Sequence, residues 1–184
     1  MKTLIINNHT THIKELISLF PDTTVLQKEN LKDVDIDNYD LIVISGGSNV
    51  PSIVDHSEQY IDEISLIKNS AIPILGICLG SELITYVYGG ELVWLPEKHG
   101  GPVNIKIKDL SLSEAMGALE FNAQEGHMVG IKTLPDDFIS CAYSEHSIEI
   151  IKHKSKPIIG LQFHPELQKD EKLLGWIFNT LRLV

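Results

Sequence analysis

Residues 72 to 82, Ile-Pro-Ile-Leu-Gly-Ile-Cys-Leu-Gly-Ser-Glu, constrain this chain more than any other stretch. An apolar, β-branched run (Ile72, Ile74, Leu75, Ile77) ends in Gly-x-Cys-x-Gly, and a helical segment, Ser81 to Tyr88, follows with no polar loop between. The pattern predicts strand, sharp turn and helix. Such a turn raises one strained side chain above the end of a sheet, and its neighbours must be small because the two backbones nearly touch. Gly76 and Gly80 supply that room, and Cys78 is the raised residue. At a helix N-terminus, unpaired backbone N–H groups and the helix dipole favour thiolate over thiol, so Cys78 is the candidate nucleophile. In isolation the same pattern also fits a cysteine buried as a small hydrophobe.

The segments on either side of this turn alternate between strand and helix patterns. Thr3 to Asn7 reads as a strand, and His12 to Phe20 carries Ile13, Leu16, Ile17 and Phe20 on one helical face. Thr23 to Gln27 and Tyr39 to Ser45 read as further strands, the latter with the continuous apolar run Leu41–Ile44 expected of a buried parallel strand. His56 to Lys68 spaces Ile61, Ile64 and Ile67 as a helix, with Glu58, Asp62, Glu63 and Lys68 assigned to its solvated face. Repeated βαβ units predict an α/β fold, a doubly wound and mostly parallel sheet flanked by helices. Gly89-Gly90 ends the elbow helix, and Glu91 to Trp94 begins another strand. From there to about residue 150 short strands and turns, including Val103–Ile107, Phe138–Tyr143 and Ile148–Lys152, predict a small antiparallel or mixed insertion. Pro157 to Phe163 is the last strand and Glu171 to Val184 the last helix.

At 184 residues, 43% of them hydrophobic, the chain fits one domain, residues 1–184. A formal charge of −10 argues against a nucleic-acid surface. The N-terminal apolar run is too short for a signal peptide, and nothing approaches the roughly 18 apolar residues of a membrane span, so a cytoplasmic location is expected. The two cysteines, Cys78 and Cys141, suggest neither disulfide nor zinc, and Cys141 reads as packing within Phe138–Ala142. His9, His12, His56, His99, His146 and His153 show no metal-ligand spacing, and neither metal nor cofactor is expected. Trp94 and Trp176 are expected in the core or an interface.

Thiol chemistry needs a base beside the sulfur and a third group to orient it. His164-Pro165-Glu166, just beyond the last strand, offers an imidazole and a carboxylate two residues apart. Gly46-Gly47, just beyond the Leu41–Ile44 run, lets backbone N–H groups approach a developing oxyanion. Each pattern alone also fits an ordinary turn. Three of them at carboxyl ends of predicted sheet strands, where open α/β sheets carry their sites, point to one constellation.

The stretches Ile44-Ser45-Gly46-Gly47, Pro73 to Gly80 and Gly160-Leu161-Gln162-Phe163-His164-Pro165-Glu166 resemble, in order and over nearly the whole chain, the class I glutamine amidotransferases. The resemblance implies a flavodoxin-like doubly wound domain with a Cys78–His164–Glu166 triad. Cys78 would attack the side-chain amide of L-glutamine, His164 would protonate the leaving ammonia, and N–H groups around Gly47 and Leu79 would form the oxyanion hole. Gly46, Glu82 and His127 are expected on the substrate side. Ammonia would pass to a synthetase partner. Glu120–Ala123, His127, Leu134–Phe138 and Lys152–Ile158 look most like the separate glutaminase subunit of archaeal-type GMP synthase.

Two positions depart from the family pattern. Gly80-Ser81-Glu82 stands where the family reads Gly-His-Gln or Gly-Met-Gln, and a carboxylate cannot donate the amide N–H of a glutamine. Gly126-His127-Met128-Val129 lacks the acidic residue that usually follows this histidine by two. Rival expectations are therefore a stand-alone hydrolase of γ-glutamyl amides and a non-catalytic regulatory module of the same fold.

Overall fold

The computed structural model describes residues 1–183. Five strands form the parallel half of one nine-stranded sheet: β1 (Thr3–Asn8), β2 (Thr23–Gln27), β3 (Leu41–Gly47), β4 (Ile74–Ile77) and β9 (Ile158–Leu161), in the order β2-β1-β3-β4-β9. The sheet continues from β9 through antiparallel β8 (Ile148–His153), β7 (Phe138–Tyr143), β5 (Glu91–Ile107) and β6 (Glu120–Thr133). The doubly wound sheet and the antiparallel extension are as expected from the sequence.

Period-two alternation along the parallel strands divides the core into two layers. Ile5, Val43, Leu75 and Ile159 face one side, where they meet α1 (Ile13–Ile17), α4 (Leu110–Met116) and α5 (Glu171–Thr180) through Leu16, Leu112 and Trp176. Leu4, Ile6, Ile42, Ile44 and Ile74 face the other, against α2 (Ile61–Asn69) and α3 (Leu79–Val87) through Ile67, Leu83 and Ile84. These strands read as unbroken apolar runs because helices cover both faces. Each such side chain contributes roughly 1.5–3 kcal/mol by leaving water.

Several element boundaries differ from the expectation. The insertion is built on long strands, 17 residues in β5 and 14 in β6. Pro96, Gly100, Gly101 and Pro102 read as turn residues, but β5 accommodates Pro96 where its register with β6 slips between Trp94 and His99. Helix α4 escapes periodicity because it is short. Its ends are set by the Asp109 carboxylate, which accepts from the Leu112 N–H, and by Gly117 at φ +67°. Helix α1 stops at Ile17, with Leu19 and Phe20 N–H groups bonded three residues back. Helix α5 closes at Thr180, and Val184, expected in it, lies outside the described residues. The expected helix from His56 begins as a 3-10 turn, Ser57–Tyr60, before α2.

Candidate active site

Between β4 and α3 the backbone turns as the sequence dictates. Cys78 has φ +52° and ψ −107°, a conformation that side-chain-bearing residues rarely adopt, and its N–H donates to the Leu161 carbonyl at 2.7 Å. A Cβ on Gly80 would lie 2.2 Å from the Ile44 carbonyl oxygen, and one on Gly76 would lie 2.5 Å from the Gly80 backbone. Strand and helix touch, so neither position admits a side chain. The thiol itself differs from the expectation. Burial, then the Glu82 carboxylate, push it well above its ordinary value, against the pull of the Leu79 N–H. The resting group is a thiol, because desolvation outweighs the helix N-terminus.

His164 and Glu166 follow β9. The His164 Nδ1–H donates to Glu166 Oε1 at 2.8 Å, which leaves Nε2 as the basic nitrogen. The His164 backbone N–H is anchored on the Gln124 carbonyl at 2.9 Å, Pro165 opens the 3-10 turn Pro165–Leu167 that carries Glu166, and the His12 ring stands edge-on to the imidazole at 5.9 Å. Gly46 joins the two halves of the site. A Cβ there would lie 3.0 Å from His164 Cε1 and 3.3 Å from Cys78 Cβ, so its lack of a side chain lets base and nucleophile come together.

Cys78 opens into a cavity of about 270 Å³ lined by Gly47, Leu79, Glu82, Trp94 and His127 among others. Gly47 and Leu79 flank it as an oxyanion pair must, and a Cβ on Gly47 would meet Leu79 Cδ2 at 2.8 Å and Val50 Cγ2 at 2.3 Å. Gly46 lies behind the nucleophile and packs against Cys78 and His164. Glu82 reaches the cavity from the first turn of α3. Burial, opposed by a 3.1 Å hydrogen bond from Gln162 Nε2 and by His127, brings its carboxyl to about 7. Its neighbour Ser81 points the other way, into the space left by Gly160 on β9. His127 lines the cavity, yet Nδ1 donates to the Val129 carbonyl at 2.8 Å and Nε2 stands 3.3 Å from Glu125 Oε2, so both ring nitrogens are turned to the protein.

Other findings correct the expectations from sequence or escaped them. Trp94, expected in core or interface, is 45% exposed on the cavity wall, whereas Trp176 is buried and donates to Ser111 Oγ. Cys141 is buried, as expected. Glu63, assigned to a solvated face, is 2% exposed and accepts from Asn8 Nδ2 at 2.9 Å, and burial brings its carboxyl to about 7. Asn8 also holds the strand end at Ser45, its N–H donating to Ser45 Oγ and its Nδ2 to the Ser45 carbonyl. The overlooked signal for Glu63 is its spacing from Tyr60 and Ile67, both on the buried stripe of that helix. Glu149, flanked by Ile148 and Ile150, is fully buried beside Glu125 and His127.

No helix among the described residues is long and apolar enough to cross a membrane. A protein-family model, glutamine amidotransferase class-I, matches residues 4–183. The chain is 36% identical to the glutamine-hydrolysing subunit of GMP synthase from Methanococcus maripaludis over 154 residues, covering 83% of this chain and 76% of the relative. It is 35% identical to the protein of the same name from Methanocaldococcus jannaschii over 156 residues, with the same coverage. Among solved structures, one assigned as a GMP synthase subunit from Thermoplasma acidophilum superposes with a TM-score of 0.80 at 27% identity, covering 98% of this chain and 92% of that one.

Proposed function

Because this chain belongs to the class I glutamine amidotransferase family, we propose that it is a glutaminase subunit that hydrolyses L-glutamine and hands the ammonia to a separate synthetase of the GMP-synthase type. One observation carries the reading: a strained cysteine at the mouth of a glutamine-sized cavity, with a glycine holding it against an imidazole already oriented by a buried glutamate. His164 Nε2 takes the Cys78 proton as the sulfur attacks the amide carbon, because the resting thiol is the wrong form for attack. The oxyanion is met by backbone N–H groups at Gly47 and Leu79. His164 then protonates the departing ammonia, and a water, deprotonated by the same nitrogen, releases glutamate from the thioester. Glu166 is a positioning residue that fixes the tautomer and stabilises the imidazolium.

Glu82 supports a second reading. It stands where the family carries a substrate-holding glutamine, and near neutrality about half of its carboxyls carry a proton that can donate as an amide does. A γ-glutamyl amide with a different α-end would suit a site of this charge, and its hydrolysis would need no partner.

The deciding experiment incubates the purified chain with 6-diazo-5-oxo-norleucine, a glutamine-shaped electrophile, and maps the adduct by mass spectrometry. Ammonia release is measured in parallel with glutamine and with γ-glutamyl amides, with and without the synthetase of an archaeal-type GMP synthase. The proposal expects labelling at Cys78, protection by glutamine, and release that rises when the synthetase is added. No labelling and no ammonia from glutamine under any condition would sink it. Rapid turnover of γ-glutamyl amides by the chain alone, with glutamine left intact, would favour the second reading.

A further inference from the structure

Beside the cavity, two strands that are not neighbours in the sheet bring three ligand-bearing side chains to one buried point. Glu125 and His127 come from β6, two residues apart and therefore on the same face, and Glu149 comes from β8. One ligand atom from each lies within 4.8 Å of the others. All three side chains are more than nine-tenths buried, and Glu125 Oε1, His127 Nε2 and Glu149 Oε2 each lack a hydrogen-bond partner among the described residues. Unpartnered polar atoms at this depth normally cost free energy, and here three of them converge.

The surroundings orient these atoms as ligands. His127 Nδ1–H donates to the Val129 carbonyl at 2.8 Å, which leaves the lone pair on Nε2 facing the carboxylates. A backbone carbonyl on the far nitrogen is the arrangement that fixes a metal-binding imidazole. Ser144 Oγ donates to the other Glu149 oxygen at 2.8 Å and turns Oε2 inward. Among the described residues the lysine ion pairs lie elsewhere, on Glu91 and Asp109, so no ammonium compensates the two buried acids. His127 Nε2 and Glu125 Oε2 are 3.3 Å apart. Two ligands at zinc bond lengths and a tetrahedral angle are separated by about 3.3 Å.

We propose that Glu125, His127 and Glu149 form a binding site for a divalent transition cation of the zinc type, which clamps β6 to β8. One imidazole with two carboxylates suits zinc better than magnesium, whose preference is for oxygen ligands and retained water. The fourth position falls to water, since Glu125 also borders a cavity of about 180 Å³. Binding expels any proton shared between the two acids. The consequence for the neighbouring chemistry is positional: Gln124, whose carbonyl anchors the His164 backbone, directly precedes Glu125, so the clamp stiffens the segment on which the base rests.

The test uses the full chain carrying Cys78→Ser, so that the thiol cannot capture metal. After chelator stripping, ZnCl2 binding is measured by equilibrium dialysis and by the shift in thermal midpoint, with MgCl2 as the comparison. One zinc per chain, a raised midpoint and no response to magnesium are expected. Adding Glu149→Gln, which keeps shape and removes charge, should weaken zinc at least about 100-fold, since loss of outer-shell partners alone costs 10- to 100-fold. Adding His127→Asn should do the same, and far-UV circular dichroism checks folding. If His127→Asn fails to fold, the glutamate variant and the parent titration decide. Absence of stoichiometric zinc in the parent, equal binding of magnesium, or zinc retained in folded Glu149→Gln would each overturn the proposal and leave a proton-sharing pair of acids.

Discussion

Cys78 sits between two opposing influences, and the balance decides how the site works. The N-terminus of α3 favours the thiolate, but burial and the Glu82 carboxylate favour the thiol more strongly. Neutralising Glu82 removes the largest charge acting against the thiolate. Glu82→Gln should therefore shift the pH midpoint of Cys78 alkylation by iodoacetamide downward and raise glutaminase activity, and an unchanged midpoint would show that Glu82 does not act on the sulfur. Glu166 acts only through His164, whose Nδ1 it holds at 2.8 Å. Glu166→Gln should lower kcat by roughly a hundredfold or more with KM nearly constant, and Glu166→Asp should recover part of the loss. A change confined to KM would assign Glu166 to substrate binding instead.

At the scale of elements, glycines divide into those that permit the elbow and those that do not matter to it. Gly80 faces the Ile44 carbonyl so closely that the β3–α3 contact would have to open around any side chain. Gly80→Ala should cost at least about 3 kcal/mol in urea unfolding, above the ordinary range for overpacking because the obstacle is backbone. Gly175, inside α5, has open space where its Cβ would be. Gly175→Ala should gain roughly 0.5–1 kcal/mol through helix propensity. Comparable effects for the two variants would contradict the close strand–helix approach.

Over the whole molecule, buried acids set the pH at which the fold is most stable. Glu63 and Glu82 titrate at about 7 in the folded chain against 4.5 as the reference, so the folded state holds protons that the unfolded state has released. Stability therefore falls as pH rises from about 4.5 to 7, by about 3 kcal/mol for each group. Asp109 does not offset this. Although burial opposes it, Lys152 at 2.8 Å holds Asp109 at about 2, and the resulting stabilisation disappears only as pH falls from 3.8 toward that value. The net charge of −10 at pH 7 acts in the same direction as the buried glutamates. The urea midpoint should be higher at pH 5 than at pH 8, and the Glu63→Gln, Glu82→Gln double variant should flatten that difference. A midpoint that rises toward pH 8 would overturn this account.

Local pattern determined much of this protein. Unbroken apolar runs fixed the parallel strands, because helices on both faces leave those strands no polar side. The Gly-x-Cys-x-Gly spacing fixed the elbow, because a strand entering a helix without a loop admits no bulk at either glycine. His164 and Glu166 were legible for a similar reason, being two residues apart on one short turn. What the sequence left open depends on long-range approach and burial. Gly46 reads as a binding glycine, and only the fold shows that it sits between Cys78 and His164. The chain places Glu63 among surface charges, and only packing against Asn8 removes it from water. Glu149 follows His127 by 22 residues, and their meeting was decided by β6 folding back toward β8. The state of the cysteine also belongs to the tertiary structure, since a helix terminus can be read from sequence but desolvation is the work of every residue around the site.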